Sequence, residues 1–265
     1  MLIFKLYNGQ IKDWDFFLKQ KKFYDVRHSF TYYQYLRELN NNNIFPFLIF
    51  KDEIKNENLV GQFILKKINF FIFNVFYIYC GPTNIESYFK DFKPEIIFKN
   101  LKITKGISYL RLKTFLPENL INLDEIKKNN WKRQINFEEN LVLDLTTTIY
   151  NLKKNLSRNW RHNFYRSKKN ILKTKIINTG ESDRIYQLYL EMCKIKKIKM
   201  PFSKVSFKKF FDFFNRDILT IGAYFNGELV SIRSVLLFNN KALDIFAATN
   251  SSGRNLFASY RLLWE

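Results

Sequence analysis

Two opposite charges lie inside apolar segments near the C-terminal end of the sequence, Arg233 in LVSIRSVLLF and Asp244 in ALDIFAAT. A two-residue turn at 239–240 makes them diagonal neighbours on one face of a hairpin, with Phe246 directly opposite Arg233. Charged side chains within apolar strands are normally paired. The pattern therefore predicts either a structural ion pair or a catalytic one. In the catalytic case, Arg233 holds an anionic group and Asp244 orients an attacking amine or accepts its proton.

A basic segment, NLSRNWRHNFYRSKKN, occupies residues 155–170. It belongs to a stretch, 145–180, that has nine Lys or Arg residues and no Asp or Glu. Helical spacing over 147–169 predicts an inward stripe of four residues, namely Trp160, Phe164, Ser167 and Ile171. The outward face then contains the predicted substrate-binding residues Arg158, Arg161, Tyr165 and Lys168. Two alternatives are a merely solvated basic face and a role for Trp160 as a stacking platform for nucleic-acid bases.

Two serines, Ser251 and Ser252, precede the last predicted helix in the segment TNSSGRN. They are predicted either to cap that helix or to bind a phosphate group there. The sequence has no Ser-His-Asp order, no phosphate-binding loop and no zinc-ligand spacing among its two histidines and two cysteines. These absences argue against hydrolase, NTPase and metalloenzyme functions, and no metal site is predicted.

The net charge of +20 is distributed unevenly. Residues 1–144 have 22 basic and 16 acidic side chains, whereas residues 145–265 have 22 and 8. We therefore expect the C-terminal half to bind an anionic partner, such as nucleic-acid phosphates, a nucleotide-linked carrier or anionic lipid headgroups. The most apolar stretch, 68–80, is shorter than a membrane-spanning helix and is interpreted as two buried strands. These features predict a cytoplasmic protein, with possible peripheral contact at the inner face of the membrane.

Helical and strand periods alternate along the sequence and then begin again near residue 147. This pattern predicts two similar α/β domains, 1–146 and 147–265, each with a mixed, mainly antiparallel sheet flanked by helices. Within it, Ser29 is predicted to cap one helix and Pro117 to start another. NLVLDL is predicted to be a strand, and Asn226-Gly227 indicates the turn of a hairpin. The sequence ends in ASYRLLWE, with three bulky apolar residues close to its last position. We therefore expect the second domain to be truncated and its natural counterpart to continue beyond Glu265.

Several segments resemble Fem-type peptidoglycan bridge transferases and their acyltransferase relatives. LSRNWRHNFYRSKKNILKTKI resembles the helix that opens their second domain, and IYQLYLEMCKIKKIK resembles the helix that follows it. The segment 219–265 resembles their closing strands and helix. HSFTYYQYLREL and YIYCGPT resemble parts of their first domain. The resemblance therefore covers nearly the whole sequence.

The resemblance implies two domains in tandem that are similar to acyl-CoA N-acyltransferases, here called GNAT-like. It also implies transfer of an acyl or aminoacyl group from an aminoacyl-tRNA or acyl thioester to an amine. The acceptor would be a cell-envelope or peptidoglycan precursor, or a related small molecule. No bound cofactor is implied, and acyl-CoA or aminoacyl-tRNA would act as a co-substrate.

Two departures from the family pattern bear on these expectations. TNSSGRN has a single glycine, which weakens an interpretation based on coenzyme A, because close backbone approach to phosphates favours several glycines. The family usually continues past the Leu-Leu-Trp-Glu helix with another strand. The alternative function is a non-catalytic RNA-binding or tRNA-binding protein that uses only the basic face.

Overall fold

The computed structural model describes residues 2–21, 24–40, 43–53, 56–79, 81–83, 91–103, 105–114, 131–132 and 141–265. It divides the chain into two compact units, Met1–Asn136 and Phe137–Glu265. The boundary predicted from the sequence, between residues 146 and 147, lies further along the chain and stays a prediction.

The first unit contains a five-stranded sheet in which the strands lie in chain order. Neighbouring strands are antiparallel except the last two, which are parallel because the chain crosses over through a helix between them. The strands are β1 (Leu2–Leu6), β2 (Ile44–Glu53), β3 (Asn56–Phe70), β4 (Phe73–Tyr79) and β5 (Ile107–Lys113).

The described residues of the first unit contain the α-helices α1 (Ile11–Lys19), α2 (Phe30–Asn40) and α3 (Pro94–Asn100). Ser29 caps α2, as predicted, because its Oγ accepts a hydrogen bond from the backbone N–H of Tyr32 at 3.2 Å. Aromatic side chains dominate the core. The buried Phe63 ring stacks on Phe47 at 5.2 Å and meets Phe92 edge-on at 6.0 Å.

The apolar stretch at 68–80 forms the end of β3 and the strand β4, and Cys80 lies outside the described residues. The prediction of two strands is confirmed, but the prediction that both are buried is wrong around their connecting turn. Phe71, in that turn, is 91% exposed, and Phe70 and Ile72 are exposed beside it. Strand periodicity has the same form at a buried and an exposed position, so the pattern did not distinguish them.

The second unit contains a four-stranded antiparallel sheet, again in chain order. Its strands are β6 (Lys173–Ile176), β7 (Ile218–Phe225), β8 (Glu228–Phe238) and β9 (Lys241–Thr249). Two-residue turns close both hairpins, Asn226-Gly227 before β8 and Asn239-Asn240 before β9. Asn226 has a φ of 50° and Asn239 a φ of 55°, a region that asparagine tolerates well.

Six helices surround this sheet in the described part of the second unit. They are α4 (Ile149–Asn155), α5 (Arg158–Lys168), α6 (Ser182–Lys196), α7 (Lys204–Phe213), α8 (Ser251–Asn255) and α9 (Ala258–Trp264). On one sheet face, Phe246 of β9 contacts Tyr189 of α6 and Phe207 of α7, at ring distances of 6.2 and 4.9 Å. On the other face, Ala223 of β7 clusters with Ala258 and Leu262 of α9.

The predicted fold class is confirmed: each unit has a mainly antiparallel sheet with helices beside it. The predicted strand NLVLDL is wrong over 141–145, which is irregular and leaves Leu141, Val142 and Leu143 exposed. The helix predicted to start at Pro117 lies almost wholly outside the described residues. None of the described helices has the length and apolar character needed to cross a bilayer.

Candidate functional site

Residues 149–168 form two helices, α4 and α5, so the single helix predicted over 147–169 is wrong. Leu156, at the end of α4, has an extended backbone with a ψ of 140°. Ser157 then starts α5, since its Oγ accepts a hydrogen bond from the backbone N–H of Trp160 at 3.2 Å. The helical period in the sequence continues across Ser157, but this serine caps a new helix and therefore ends the single helix that the period predicted. Because α5 ends at Lys168, Ile171 lies outside the helix and is 80% exposed, so its place in the predicted stripe is also wrong.

The rest of the inward stripe packs as predicted. Phe164 and Ser167 are each only 1% exposed. The Phe164 ring lies 5.2 Å from that of Trp264 in α9, and the Trp160 ring lies 5.6 Å from that of Tyr260. Trp160 is therefore engaged with aromatic neighbours, although it stays partly exposed.

The predicted binding residues share the outward face of α5, which we call the basic face: Arg158, Arg161, Tyr165 and Lys168. They recur at i, i+3, i+7 and i+10, which is the spacing of one helical stripe. Arg158, Tyr165 and Lys168 are exposed. Arg161 is partly buried and donates a hydrogen bond from Nη1 to the backbone oxygen of Lys154 at 3.1 Å, which ties α5 to the end of α4.

The phenol of Tyr165 lies at the centre of this cationic group. A hydrogen bond from Lys153 and the positive charges of Lys153, Lys168 and Arg161 hold the pKa of Tyr165 below its ordinary value. The Lys153 ammonium also lies 5.4 Å from the centre of the Tyr165 ring. Lys153 is not among the residues predicted from the sequence, because only the turn between α4 and α5 brings it to this face.

The structure places Arg233 and Asp244 in direct contact, with Nη2 of Arg233 donating to Oδ2 of Asp244. Their side chains are 24% and 48% exposed. Nε of Arg233 is buried and has no hydrogen-bond partner within the described part of the chain. Arg233 therefore has donor capacity that its ion pair with Asp244 does not use.

The predicted register around this pair is only partly correct. Val235 pairs with Asp244, but Arg233 pairs with Ala247 instead of Phe246, because the register shifts between Ser234 and Val235. The shift places Phe246 opposite Ser234, on the face where Phe246 fills the aromatic core beside α6 and α7. A bulge of this kind depends on tertiary packing and has no clear local signal.

Arg233 and the basic face lie on the same side of the second sheet. Ile221, the partner of Arg233 in β7, packs against the cluster that includes Ala258 and Leu262 of α9. That helix also packs on α5 through Trp264. The ion pair and α5 are therefore on the α9 side of the sheet, with α9 packed against α5.

Ser251 and Ser252 lie in the first turn of α8 and are exposed. The prediction that they cap the helix is wrong, because Oδ1 of Asn250 accepts the hydrogen bond from the backbone N–H of Gly253 at 2.9 Å. Both serines line an open cavity of about 310 Å³ together with Asn250 and with Glu191, Lys194 and Ile195 of α6. The predicted residues of α5 do not line it, so the predicted binding residues fall into two groups.

Gly253 has a structural role that explains the one glycine of TNSSGRN. A Cβ at this position would lie 2.3 Å from the backbone oxygen of Val230 in β8. Glycine is therefore needed for α8 to approach the strand, independently of any phosphate. Among the described residues, no group of three or more His, Cys, Asp or Glu side chains is arranged to hold a metal ion.

The structure is similar to two solved structures over nearly its whole length. FemX superposes with a TM-score of 0.75 at 10% identity, covering 98% of this chain and 84% of FemX. A conserved protein of unknown function from Bacteroides thetaiotaomicron VPI-5482 superposes with a TM-score of 0.56 at 11% identity, covering 99% of this chain and 85% of that protein. No protein-family model matches the sequence, and no similar sequence was found among curated proteins. The chain therefore has the fold of FemX, as its resemblance to Fem-type transferases led us to expect.

Proposed function

We propose that the protein is an acyltransferase that moves an acyl or aminoacyl group from an activated carrier to an amine. The observation that carries this proposal is the similarity to FemX along 98% of the chain. The acceptor is the amine of a peptidoglycan or other cell-envelope precursor, or of a related small molecule, as the resemblance to Fem-type transferases implies.

The carrier we favour is an aminoacyl-tRNA. The basic face presents exposed cations along one helix, in a stretch without acidic residues, which suits a polyanionic backbone. An acyl thioester of coenzyme A is less well supported, because the one glycine of TNSSGRN is already required for packing against β8. A nucleotide-linked precursor could use the same cations through its phosphates.

The transfer step is assigned to the Arg233–Asp244 pair. The amine nitrogen attacks the ester or thioester carbonyl carbon, forming a C–N bond, and the C–O or C–S bond to the carrier breaks. Asp244 orients the amine and accepts the proton that it loses, and this proton then passes to the leaving oxygen or sulfur, so that the carrier leaves as an alcohol or thiol. Arg233, whose side chain is 24% exposed, binds an anionic group of the substrate through its guanidinium.

Ser251 and Ser252 are proposed to contact a smaller anionic group of a substrate at the cavity beside α6. Lys194 lines the same cavity and supplies a positive charge, whereas Glu191 limits how much negative charge the cavity accepts. Changing both serines to alanine should therefore raise the KM for one substrate and leave kcat nearly unchanged. The serines would contact the substrate equally in the bound complex and in the transition state, so their loss weakens binding and not the chemical step.

The transfer step is tested by mixing the full chain with tRNA charged with radiolabelled amino acids and with candidate amine acceptors. Asp244→Asn should lower the transfer rate by about 10²- to 10⁴-fold, the usual contribution of a positioned base. Glu181→Gln is the matched control, because Glu181 forms a similarly exposed ion pair with Arg184 at 3.6 Å, away from the proposed site. Equal rates for both variants would show that the Arg233–Asp244 pair is structural.

The basic face is tested with the double variant Arg161→Gln/Lys168→Gln. It should bind tRNA more weakly and with a shallower dependence on salt, because fewer counterions are released on binding. Lys196→Gln/Lys208→Gln is the matched control, since it removes the same charge from α6 and α7 on the opposite sheet face. If both double variants bind tRNA alike, net charge alone drives binding and the basic face is a solvated surface.

A non-catalytic RNA-binding protein is the second candidate, and the exposed cations of the basic face are the observation that favours it. Salt-dependent and sequence-independent tRNA binding, with no transfer to any acceptor, would support it. We place either function in the cytoplasm, with peripheral contact at the inner face of the membrane. Fractionation of cells that express the chain tests this placement.

A further inference from the structure

The first unit exposes an apolar surface that its own fold does not use. The register of β3, β4 and β5 aligns Ile68 with Val75 and Tyr109, and Phe70 with Phe73 and Ile107. Directly paired residues point to the same side of a sheet, so these six side chains form one continuous surface, here called the apolar platform. All of them except Val75 are between 41% and 62% exposed.

The turn between β3 and β4 extends this surface with two more apolar side chains, Phe71 and Ile72. Phe71 is 91% exposed, and its ring meets that of Phe70 edge-on at 4.8 Å. Phe71 also has a φ of 52°, a conformation that costs a residue with a Cβ and is usually given to Asn or Gly. A bulky aromatic residue at this position is explained neither by backbone geometry nor by packing into the core.

The platform is held in place without any partner. The backbone N–H of Ile107 donates to the oxygen of Ile72 at 2.9 Å, and Nδ2 of Asn74 donates to the oxygen of Lys105 at 2.9 Å. Gly106 allows this close approach, because a Cβ there would lie 2.3 Å from the oxygen of Ile72. The loop before β5 therefore braces the turn, and the apolar side chains are presented on a preformed scaffold.

Positive charge surrounds the platform, and negative charge is absent from the segments that build it. Residues 58–79 and 96–114 have seven Lys or Arg and no Asp or Glu. Lys66 and Arg111 border the platform, since each pairs with Tyr77 in the next row of the same sheet face. Lys102 and Lys105 are exposed in the loop that braces the turn.

An anionic lipid bilayer matches this combination of features. Exposed aromatic and aliphatic side chains enter the boundary between headgroups and acyl chains, and neighbouring cations attract anionic headgroups. A second copy of the chain would place these cations against their own equivalents, which disfavours a symmetric contact. We propose that the apolar platform docks the first unit onto an anionic membrane surface, with Phe71 and Ile72 inserted at the acyl boundary.

The test uses the full chain and sedimentation with vesicles of phosphatidylcholine, alone or mixed with phosphatidylglycerol. The parent protein should bind the mixed vesicles and bind the neutral ones much more weakly. Phe71→Asn/Ile72→Gly installs the turn pair that the chain uses at Asn226-Gly227, so the hairpin should still form. The affinity of this variant for mixed vesicles should be lower by roughly 30-fold or more. The variant lacks the two apolar side chains whose transfer from water to lipid favours binding.

Further variants test whether vesicle binding depends on the apolar platform itself, and not on exposed apolar side chains or charge elsewhere in the chain. Ile171→Asn removes an exposed apolar side chain from the second unit and should bind vesicles as the parent does. Phe71→Trp should keep binding, and its added tryptophan should be quenched by brominated lipid, a readout that does not depend on the Asn-Gly variant. Unquenched Phe71→Trp, or equal binding by parent and Phe71→Asn/Ile72→Gly, would overturn the proposal. So would a parent dimer that this variant converts to a monomer, since a second copy would then cover the platform.

Discussion

Two hairpins share a positive φ at the first residue of their two-residue turns but differ at the second, where Gly227 has a positive φ and Ile72 does not. The turn between β7 and β8 is Asn226-Gly227, whereas the turn between β3 and β4 is Phe71-Ile72. The first turn residue has a φ of 50° in one hairpin and 52° in the other. Asparagine visits this region readily, but for other residues with a Cβ it costs on the order of 1 kcal/mol. The backbone requirement at the first turn residue is therefore shared, and it explains Asn226 but not Phe71.

The contrast between the turns extends to the surfaces around them. The first unit exposes apolar side chains on three adjacent strands, whereas the second exposes cations along α5. Each surface departs from what folding alone requires, one by exposing hydrocarbon to water and the other by concentrating like charges. Such departures are expected where a surface contacts something else. The proposals assign lipid to the first surface and a phosphate-rich carrier to the second.

The largest expected effect is a difference in stability between two variants, one of a buried aromatic residue and one of an exposed aromatic residue. Phe164→Ala should lower the free energy of unfolding by about 3–5 kcal/mol, because Phe164 is buried against Trp264. Phe71→Ala should change it by less than about 0.5 kcal/mol, since the Phe71 side chain is exposed and alanine keeps the Cβ at this positive φ. Urea denaturation of both variants measures the difference. A large loss of stability in Phe71→Ala would show that Phe71 has a structural role.

Exchanging the turn residues gives the next effect. Asn226→Phe/Gly227→Ile should destabilise the second unit by about 2–3 kcal/mol, because both positions need a positive φ and isoleucine is branched at Cβ. A Cβ at Gly227 has no heavy atom within 4 Å, so the loss reflects backbone conformation and no clash. Urea denaturation checks the value. Unchanged stability would mean that the turn relaxes to another geometry.

The dependence of stability on pH should originate mainly in the first unit. Burial lowers the pKa of His28 below its ordinary value of 6.5, and Nε2 of His28 bonds to the oxygen of Tyr79. Below about pH 6.5 this histidine binds a proton in the unfolded chain but not in the folded chain, so the free energy of unfolding falls as the pH falls. Between about pH 7.5 and about pH 5.5 the loss should be on the order of 1 kcal/mol.

His28→Gln is the control for this pH effect, because it keeps a donor for Tyr79 and removes the titrating group. Its stability should be lower than that of the parent at neutral pH but should change less between the two pH values. Thermal unfolding at both pH values measures this. An identical pH profile in His28→Gln and the parent would assign the effect to another group.

The smallest effect is a gain. Phe71→Asn should stabilise the first unit by roughly 0.5–1 kcal/mol, because it relieves the backbone strain at residue 71 and removes no buried side chain. Chemical denaturation in the absence of lipid is the measurement. A loss of stability would mean that the contact between Phe70 and Phe71 supports the hairpin, and the two turns would then differ for a structural reason.

Local sequence patterns correctly predicted those elements whose form depends on nearby residues alone. Asn226-Gly227 indicated a hairpin because its residues tolerate positive φ, and the structure has that hairpin. Phe164 and Ser167 were placed on the buried side of α5 by the helical period alone. The tandem α/β organisation followed from repeated alternation of the two periods, and the contact between Arg233 and Asp244 followed from the turn at Asn239-Asn240.

The tertiary structure decided which surfaces are exposed and which residues meet. The period of a strand assigns side chains to two faces but does not say which face is covered, so Phe70 and Phe71 were predicted to be buried and are not. The register opposite Arg233 depended on the place of Phe246 in a core made by α6 and α7. Lys153 meets Tyr165 only through the turn between two helices. Local residue preferences act within a few positions of the chain, whereas coverage, register and such encounters depend on contacts between residues that are distant in sequence.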